Sequence, residues 1–270
     1  MIKGGFGKGG FGTSVAAAAL AAFCAAGTAQ AAQCGNGPGG FEAWKRDFAE
    51  EARANGVSAN AIAALMTTSY NTATIAADRG QKSFRLSLDQ FLAKRGGSTI
   101  VARGRALKRT HAALFASIGD RYGVPPGPLL AIWGMETGFG AVRGNQNTLS
   151  AVATLAYDCR RSAFFTDQLY AALKLVDRGI ITASTRGSMH GELGHTQFLP
   201  KAILNYGTGG SLENASVALT STANFLKGHG WRAGAGYQPG EANFGALQAW
   251  NAASVYQRAL ALLGRQIDGE

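Results

Sequence analysis

Beyond its N-terminus the chain has no apolar run long enough to cross a bilayer, which takes about 20 consecutive apolar residues. It has no repeat of fixed period, so a solenoid or propeller is excluded. It has no basic run interleaved with aromatics. Arg103, Arg105, Lys108 and Arg109 read as the solvated face of one helix, so nucleic acid is not the expected partner. No EF-hand pattern occurs, which argues against calcium. Acids are few, 16 against 26 Lys and Arg. Cysteine is scarce too, with only three residues, Cys24, Cys34 and Cys159.

What stands at the N-terminus is a leader pattern. Met1-Ile2-Lys3 and Lys8 are basic, Val15 to Ala26 is a short apolar run, and Ala29 and Ala31 are the small residues a signal peptidase reads. A secretory signal peptide over residues 1–31, cut after Ala31, is expected. Gln33 precedes Cys34 where a lipidated cysteine would follow a small residue, so a soluble exported protein is favoured over a lipid-anchored one. Cys24 leaves with the leader. Cys34 and Cys159 remain, and in an oxidising compartment an even pair suits a disulfide; two unrelated thiols are the alternative. Without Lys3 and Lys8 the 26 basic residues become 24 against 16 acids, a net charge of +8. An exported basic surface suits an anionic partner such as a cell-wall polymer or membrane surface.

The chain is organised around Leu129 to Gly140. Prolines at 125, 126 and 128 suit a helix's first turn, and Gly138 suits its end. The run between them is apolar on every side, so the helix should be buried. It ends in one carboxylate, Glu136. Burial and the negative end of the helix dipole would both raise that pKa, as a general acid requires. The segment alone equally allows a terminal glutamate that reaches water.

The rest reads mostly as helix. Helices are expected over Phe41–Asn55, from Ser58, over Ser83–Arg95, Ile100–Tyr122, Thr148–Tyr157, Ser162–Arg178, Thr196–Asn205, Ser216–Gly228 and Asn243–Leu263. Short strands are expected, if anywhere, in the linker starting at Gly179. The fold class is therefore mainly α, with at most a small β element.

Several polar residues do not belong to a plain bundle. Asp158, Arg160 and Arg161 form a charged knot; the arginines suit either salt bridges between helices or substrate carboxylates. Ser188 to Pro200 is dense in small and polar residues, as where backbone approaches a ligand. His190, Glu192 and His195 invite a zinc reading. The zincin pattern, however, needs histidines four apart with Glu directly after the first, and here they are five apart. No metal site is expected.

Five ordered segments carry a resemblance: Ile132 to Gly140, Ala153 to Tyr157, Arg160-Arg161, Gly191 to Pro200 and Ala223 to Trp231. Together they resemble the lytic murein transglycosylase B family of Gram-negative bacteria, from about Phe41 to Leu263. The resemblance implies a lysozyme-like helical core and a periplasmic location. It implies residues 32–118 as an N-terminal helical part and 119–270 as the catalytic core with a returning C-terminal helix. It implies cleavage of the MurNAc–GlcNAc bond of peptidoglycan without water, leaving anhydro-MurNAc ends. No cofactor is implied. The expected partners are glycan strands and other cell-wall enzymes, with no nucleic acid and no membrane insertion, and a monomer is expected.

Residue by residue, the resemblance makes Glu136 catalytic. It makes Arg160, Arg161, Ser188, Gln197, Asn251 and Tyr256 substrate-binding. Phe91 stands where the family has a groove tyrosine, and His195 where glutamine is common. The region Gly207 to Asn214 lacks the acids of a calcium loop that some members carry, with only Glu213 present. Most glycosidases use two carboxylates. Only Asp158 and Glu192 offer a second one here, and neither is expected to face the cleft: Asp158 would neutralise the arginine pair, and Glu192 would bond backbone or support the site. One residue would then serve as acid and then base. A hydrolytic muramidase and a non-catalytic peptidoglycan-binding protein are the alternatives.

Overall fold

The computed structural model of the chain describes residues 32–80 and 86–269. The expected leader, residues 1–31, lies outside the described residues, as does the start of the expected Ser83–Arg95 helix.

Helix α1 (Phe41–Ala54) buries Phe41, Trp44, Phe48 and Ala52, the stripe its spacing implies. Ser58 caps α2 (Ala59–Met66) by accepting the Ala61 N–H. Asn71 likewise caps α3 (Thr72–Arg79), an element whose weak apolar period hides it in the sequence. Ser87 and Gln90 form a reciprocal capping box at α4 (Leu88–Arg95). Where one long helix is expected from Ile100, the chain forms α5 (Gly97–Thr110) and α6 (Ala112–Tyr122). His111, at φ −111° and ψ 28°, leaves the helical region and divides them.

The central helix α7 (Pro126–Thr137) has ten of its twelve residues buried, so it is walled on all sides. Helices α5 and α13 (Ser254–Asp268) pack on it. Gly134 permits the approach of α5, since a Cβ there would meet Ile100 at 2.6 Å. Helices α8 (Thr148–Tyr157) and α9 (Ser162–Asp177) form a second tight pair, and α1, α2 and α3 close over that side. Helices α10 (Pro200–Tyr206) and α11 (Ala215–Gly228) complete the wall behind α9 and α7.

The only sheet among the described residues is a two-residue ribbon, β1 (Gln146–Asn147) antiparallel to β2 (Arg186–Gly187). Its second strand lies in the linker that starts at Gly179, just beyond a local turn in which Thr182 and Thr185 bond each other. One expectation needs correction. The expected Asn243–Leu263 helix is broken into α12 (Phe244–Trp250) and α13. Asn251, at φ −148° and ψ 132°, is extended, and its side chain accepts the Ala253 N–H. That break turns α13 back onto α7.

Cys34 and Cys159 form a disulfide that closes a separation of 125 residues. Around it the N-terminal segment docks through Gly35 N–H to the Tyr157 carbonyl and Cys159 N–H to the Gly35 carbonyl.

Candidate active site

Three left-handed residues in a row, Gly138, Phe139 and Gly140, stop α7 one residue after Thr137 and turn the chain away. Phe139 has φ 61°, which is costly for a side-chain-bearing residue and is held by its packing on Trp133 and under Arg103. Glu136 is thereby left in the last turn of a buried helix, half-buried itself.

Two donors converge on one oxygen of Glu136. Tyr256 Oη–H donates to Oε1 at 2.6 Å and Trp250 Nε1–H donates to the same atom at 3.1 Å. Both come from the returned C-terminal segment, 114 and 120 residues away. Oε2 has no hydrogen bond among the described residues. Burial raises the Glu136 pKa above the usual carboxylate range, while the Tyr256 and Trp250 bonds and the Arg95 charge oppose that rise. Since Oε1 accepts twice, the proton of the neutral acid sits on Oε2, the unpaired oxygen. Tyr256 is buried beside this carboxyl and its phenol is pushed well above its ordinary value, so it remains a donor. Phe91 packs edge-on against the Tyr256 ring at 6.0 Å, an apolar backing where a tyrosine would add a hydroxyl.

The loop 188–199 is stapled to the end of α7. Thr137 Oγ1 donates to the His195 carbonyl at 2.7 Å, and Trp133 Nε1–H donates to His195 Nδ1 at 3.0 Å. With Nδ1 accepting, the ring proton lies on Nε2, which faces the Glu213 carbonyl at 3.1 Å. Burial first, then Arg143, lowers the His195 pKa. Both ring nitrogens are therefore occupied, and among the described residues no group of three metal-ligating side chains stands together. Gln197, left-handed at φ 56°, gives its amide to the Gly194 and Arg143 carbonyls. That residue keeps the loop from continuing α10 backwards, which is why the helix expected from Thr196 starts only at Pro200.

Ser188 Oγ–H donates to Glu192 Oε2 at 2.7 Å, within a turn where Ser188 N–H also reaches the Glu192 carbonyl at 2.9 Å. Glu192 bonds a side chain, where backbone was one of the expected partners. Burial and then the Glu136 charge push it up to about 7, with Ser188 and Arg161 opposing. This second carboxyl therefore lies within the electrostatic reach of the first.

Arg160 and Arg161 both pair with Asp78, a buried residue of α3. Their side chains remain 44% and 36% exposed, so each still presents donors outward. The expectation that Asp158 neutralises the pair is corrected. Asp158 is spent on Arg79 at 2.6 Å and on the Arg160 backbone N–H at 3.1 Å. Asn251 lies in the bend between α12 and α13, one residue from Trp250; its carbonyl accepts from Gln257 at 2.7 Å. Trp250 is the residue that reading the sequence missed. A lone tryptophan at a helix end carries no signal until the chain returns it to Glu136. A recess of about 910 Å³ is walled by Pro125, Trp231 and Tyr237 at the other end of α7, away from these groups.

A family model described as the transglycosylase SLT domain matches residues 40–241. The chain belongs to the transglycosylase SLT domain family. Within that family setting, it is 35% identical over 118 residues to membrane-bound lytic murein transglycosylase B of Escherichia coli (strain K12). The match covers 41% of this chain and 33% of that protein, so the chain spans about a third of the length of that curated relative. The SLT-domain chain is also similar to the crystal structure of SltB3 from Pseudomonas aeruginosa in complex with NAG-NAM-pentapeptide. The TM-score is 0.77 at 28% identity, covering 85% of this chain and 80% of that one. The same relative is known in complex with NAG-anhNAM-pentapeptide. SltB1 from the same organism shares the fold at TM-score 0.73 and 20% identity, over 83% and 97% of the two chains. The mainly helical, lysozyme-like class expected from the sequence is the fold observed.

Proposed function

We propose that this protein is an exported peptidoglycan lytic transglycosylase. It cleaves the MurNAc–GlcNAc bond without water and leaves anhydro-MurNAc ends. The observation that carries this reading is Glu136, whose one oxygen is held by Tyr256 and Trp250 while the other is unpaired. That arrangement suits an acid whose Oε2 proton goes to the departing glycosidic oxygen. As the bond breaks, the substrate's acetamido oxygen closes on the anomeric carbon, as in substrate-assisted hydrolases. Ionised Glu136, now stabilised by its two donors, takes the proton of the sugar's own primary hydroxyl. That oxygen attacks the anomeric carbon and expels the acetamido oxygen. An intramolecular nucleophile outruns water because it is already oriented. Arg160 and Arg161, clamped by Asp78, present guanidinium donors suited to stem-peptide carboxylates. Gln197 and Asn251 shape the loops on either side.

Export to the periplasm follows from the leader pattern and fits a wall substrate. Among the described residues no helix is long and apolar enough to cross a membrane.

The experiment is a digest of purified sacculi in heavy-oxygen water, with the Glu136→Gln variant as control. The expected products are muropeptides one water lighter than hydrolysis would give, with no label at the new end. The variant, still folded, should lose about 100-fold or more of the activity, since Gln neither gives nor takes the proton. Labelled reducing ends as the main product would replace this reading with a muramidase. Binding without turnover would replace it with a peptidoglycan-binding protein.

A further inference from the structure

Two arginines near the C-terminal end of α7 have no part in the reaction above. Arg95 is the last residue of α4, and Arg103 stands midway along α5; both are exposed. Neither makes an ion pair among the described residues. Each lies instead over an aromatic ring. The guanidinium carbon of Arg95 is 5.5 Å from the centre of the Phe91 ring, and that of Arg103 is 5.0 Å from the centre of Phe139. Arg103 adds one long bond, 3.4 Å, to the Gly138 carbonyl.

Both rings are one step from the catalytic carboxyl. Phe91 is buried and packs against the Tyr256 ring at 6.0 Å, and Tyr256 donates to Glu136. Phe139 follows Glu136 in the left-handed turn that ends α7. Arg95 and Arg103 thus belong to a wall made by α4, α5 and α13, which pack on one another. Arg160 and Arg161 belong to a different wall, at the start of α9, which packs on α8, α10 and α2.

The two arginine groups differ in what answers their charge. Asp78 answers Arg160 and Arg161. An aromatic face attracts a cation without neutralising it, and it leaves the N–H groups at the rim of the guanidinium unused. Helix α5 carries no acid, and the acid of α4, Asp89, lies in its first turn, at the far end from Arg95. Lys94 adds an exposed cation beside Arg95. Cations there also suit the negative end of α4, but that does not require Arg95 to lie on Phe91. The result is a net positive edge next to Glu136, with donors in the fork geometry that takes a carboxylate on two N–H groups.

A glycan strand carries a stem peptide on each MurNAc, so carboxylates recur along it on both sides of the bond being cut. We propose that Arg95 and Arg103 form a second anion-binding edge of the cleft, which takes a carboxylate of a stem peptide other than the one met by Arg160 and Arg161. Phe91 and Phe139 are the platforms that hold the two guanidinium groups in place. This assignment rests on the transglycosylase reading and adds to it a second contact along the strand.

The test is calorimetric binding in the Glu136→Gln background, with two ligands: a tetrasaccharide bearing both stem peptides, and the same tetrasaccharide stripped of them. That background also removes the influence of Arg95 on the Glu136 pKa, so binding alone is read. Arg95→Ala should weaken the peptide-bearing ligand about three- to fivefold, and Arg95→Ala with Arg103→Ala about tenfold, as for exposed charge pairs. The stripped ligand should stay within twofold, and added salt should shrink the loss. Combined with Arg161→Ala, the losses should multiply, because separate carboxylates are held. Thermal melts check folding; if Arg103→Ala disturbs the Phe139 turn, Arg95→Ala decides. Equal losses on both ligands, no loss on either, or a combined loss no larger than that of Arg161→Ala alone would overturn the assignment. The two layers fail separately. A parent that binds neither ligand and releases no anhydro product overturns the transglycosylase reading and this assignment with it, whereas an active parent whose Arg95→Ala variant binds both ligands unchanged overturns this assignment alone.

Discussion

Tyr256 and Glu136 are joined by a 2.6 Å hydrogen bond between helices that lie 120 residues apart in the chain. The phenol donates to the same oxygen that Trp250 reaches, so one side of the carboxyl is held and the other is left for a substrate. Burial pushes both groups of the pair upward, and the bond partly reverses this for Glu136 by favouring its charged form.

Removing that bond has a signed consequence. Tyr256→Phe deletes a donor that lowers the Glu136 pKa, so the pKa rises further. In the proposed reaction, activity needs the protonated acid and falls as pH rises through its pKa. The alkaline limb of kcat/KM should therefore move to higher pH. At the same time kcat should drop about tenfold, since the ionised form needed in the second step loses a charge-assisted bond. A pH–rate profile of the variant beside the parent checks both; an alkaline limb that moves down would contradict the assignment.

Glu192 makes stability depend on pH. Its pKa rises from 4.5 to about 7 on folding, so the folded chain holds the proton more tightly than the unfolded chain. The contribution is fully present below about pH 4.5 and is lost as pH rises through about 7. Glu192→Gln has no such titration. Its melting temperature should gain on the parent's across that window and run parallel to it above. Melts of both proteins over the range measure the difference; a variant-minus-parent melting temperature that falls as pH rises through the window would refute it.

The Cys34–Cys159 bridge closes a long loop and pins the segment that pairs with Tyr157 and Cys159. Cross-links of this kind stabilise by about 2–4 kcal/mol, so the double Cys34→Ser, Cys159→Ser variant should unfold at lower denaturant or temperature by that amount. Mass spectrometry of non-reduced peptides from exported protein should find the two cysteines linked. Two freely alkylated thiols would contradict this.

Arg161 shares Asp78 with Arg160 and lies over the Phe165 ring at 4.8 Å. With a third of its side chain still exposed, it keeps surface that an anionic group can reach. Arg161→Ala should weaken binding to peptide-bearing muropeptides by about tenfold and to peptide-free glycan by much less. Titrations with both ligands in the Glu136→Gln background, where no turnover intervenes, separate the two. Equal losses would mark the arginine as structural.

Much of this molecule could be read from its sequence, and the reasons are local. Helix α7 is legible because prolines open it, Gly138 closes it and every side between is apolar. The cap at Ser58 and the stripe of α1 are equally local signals. So is the position of Glu136 at a helix end, since 3.6-residue periodicity and capping need only neighbours in the chain. The order of motifs belongs to the same class. What the sequence left open was decided by packing. Whether Glu136 meets water or a held donor depends on Asn251 breaking the last helical stretch so that Trp250 and Tyr256 return to it. Whether the arginine pair is answered by Asp158 or Asp78 depends on α3 lying over α8, an element with almost no periodic signature. That Ser188 bonds Glu192 follows from a five-residue turn closed by its own backbone. Hydrogen-bond partners and charge fields act through space over a few ångströms, and only the tertiary fold brings residues from distant parts of the chain that close.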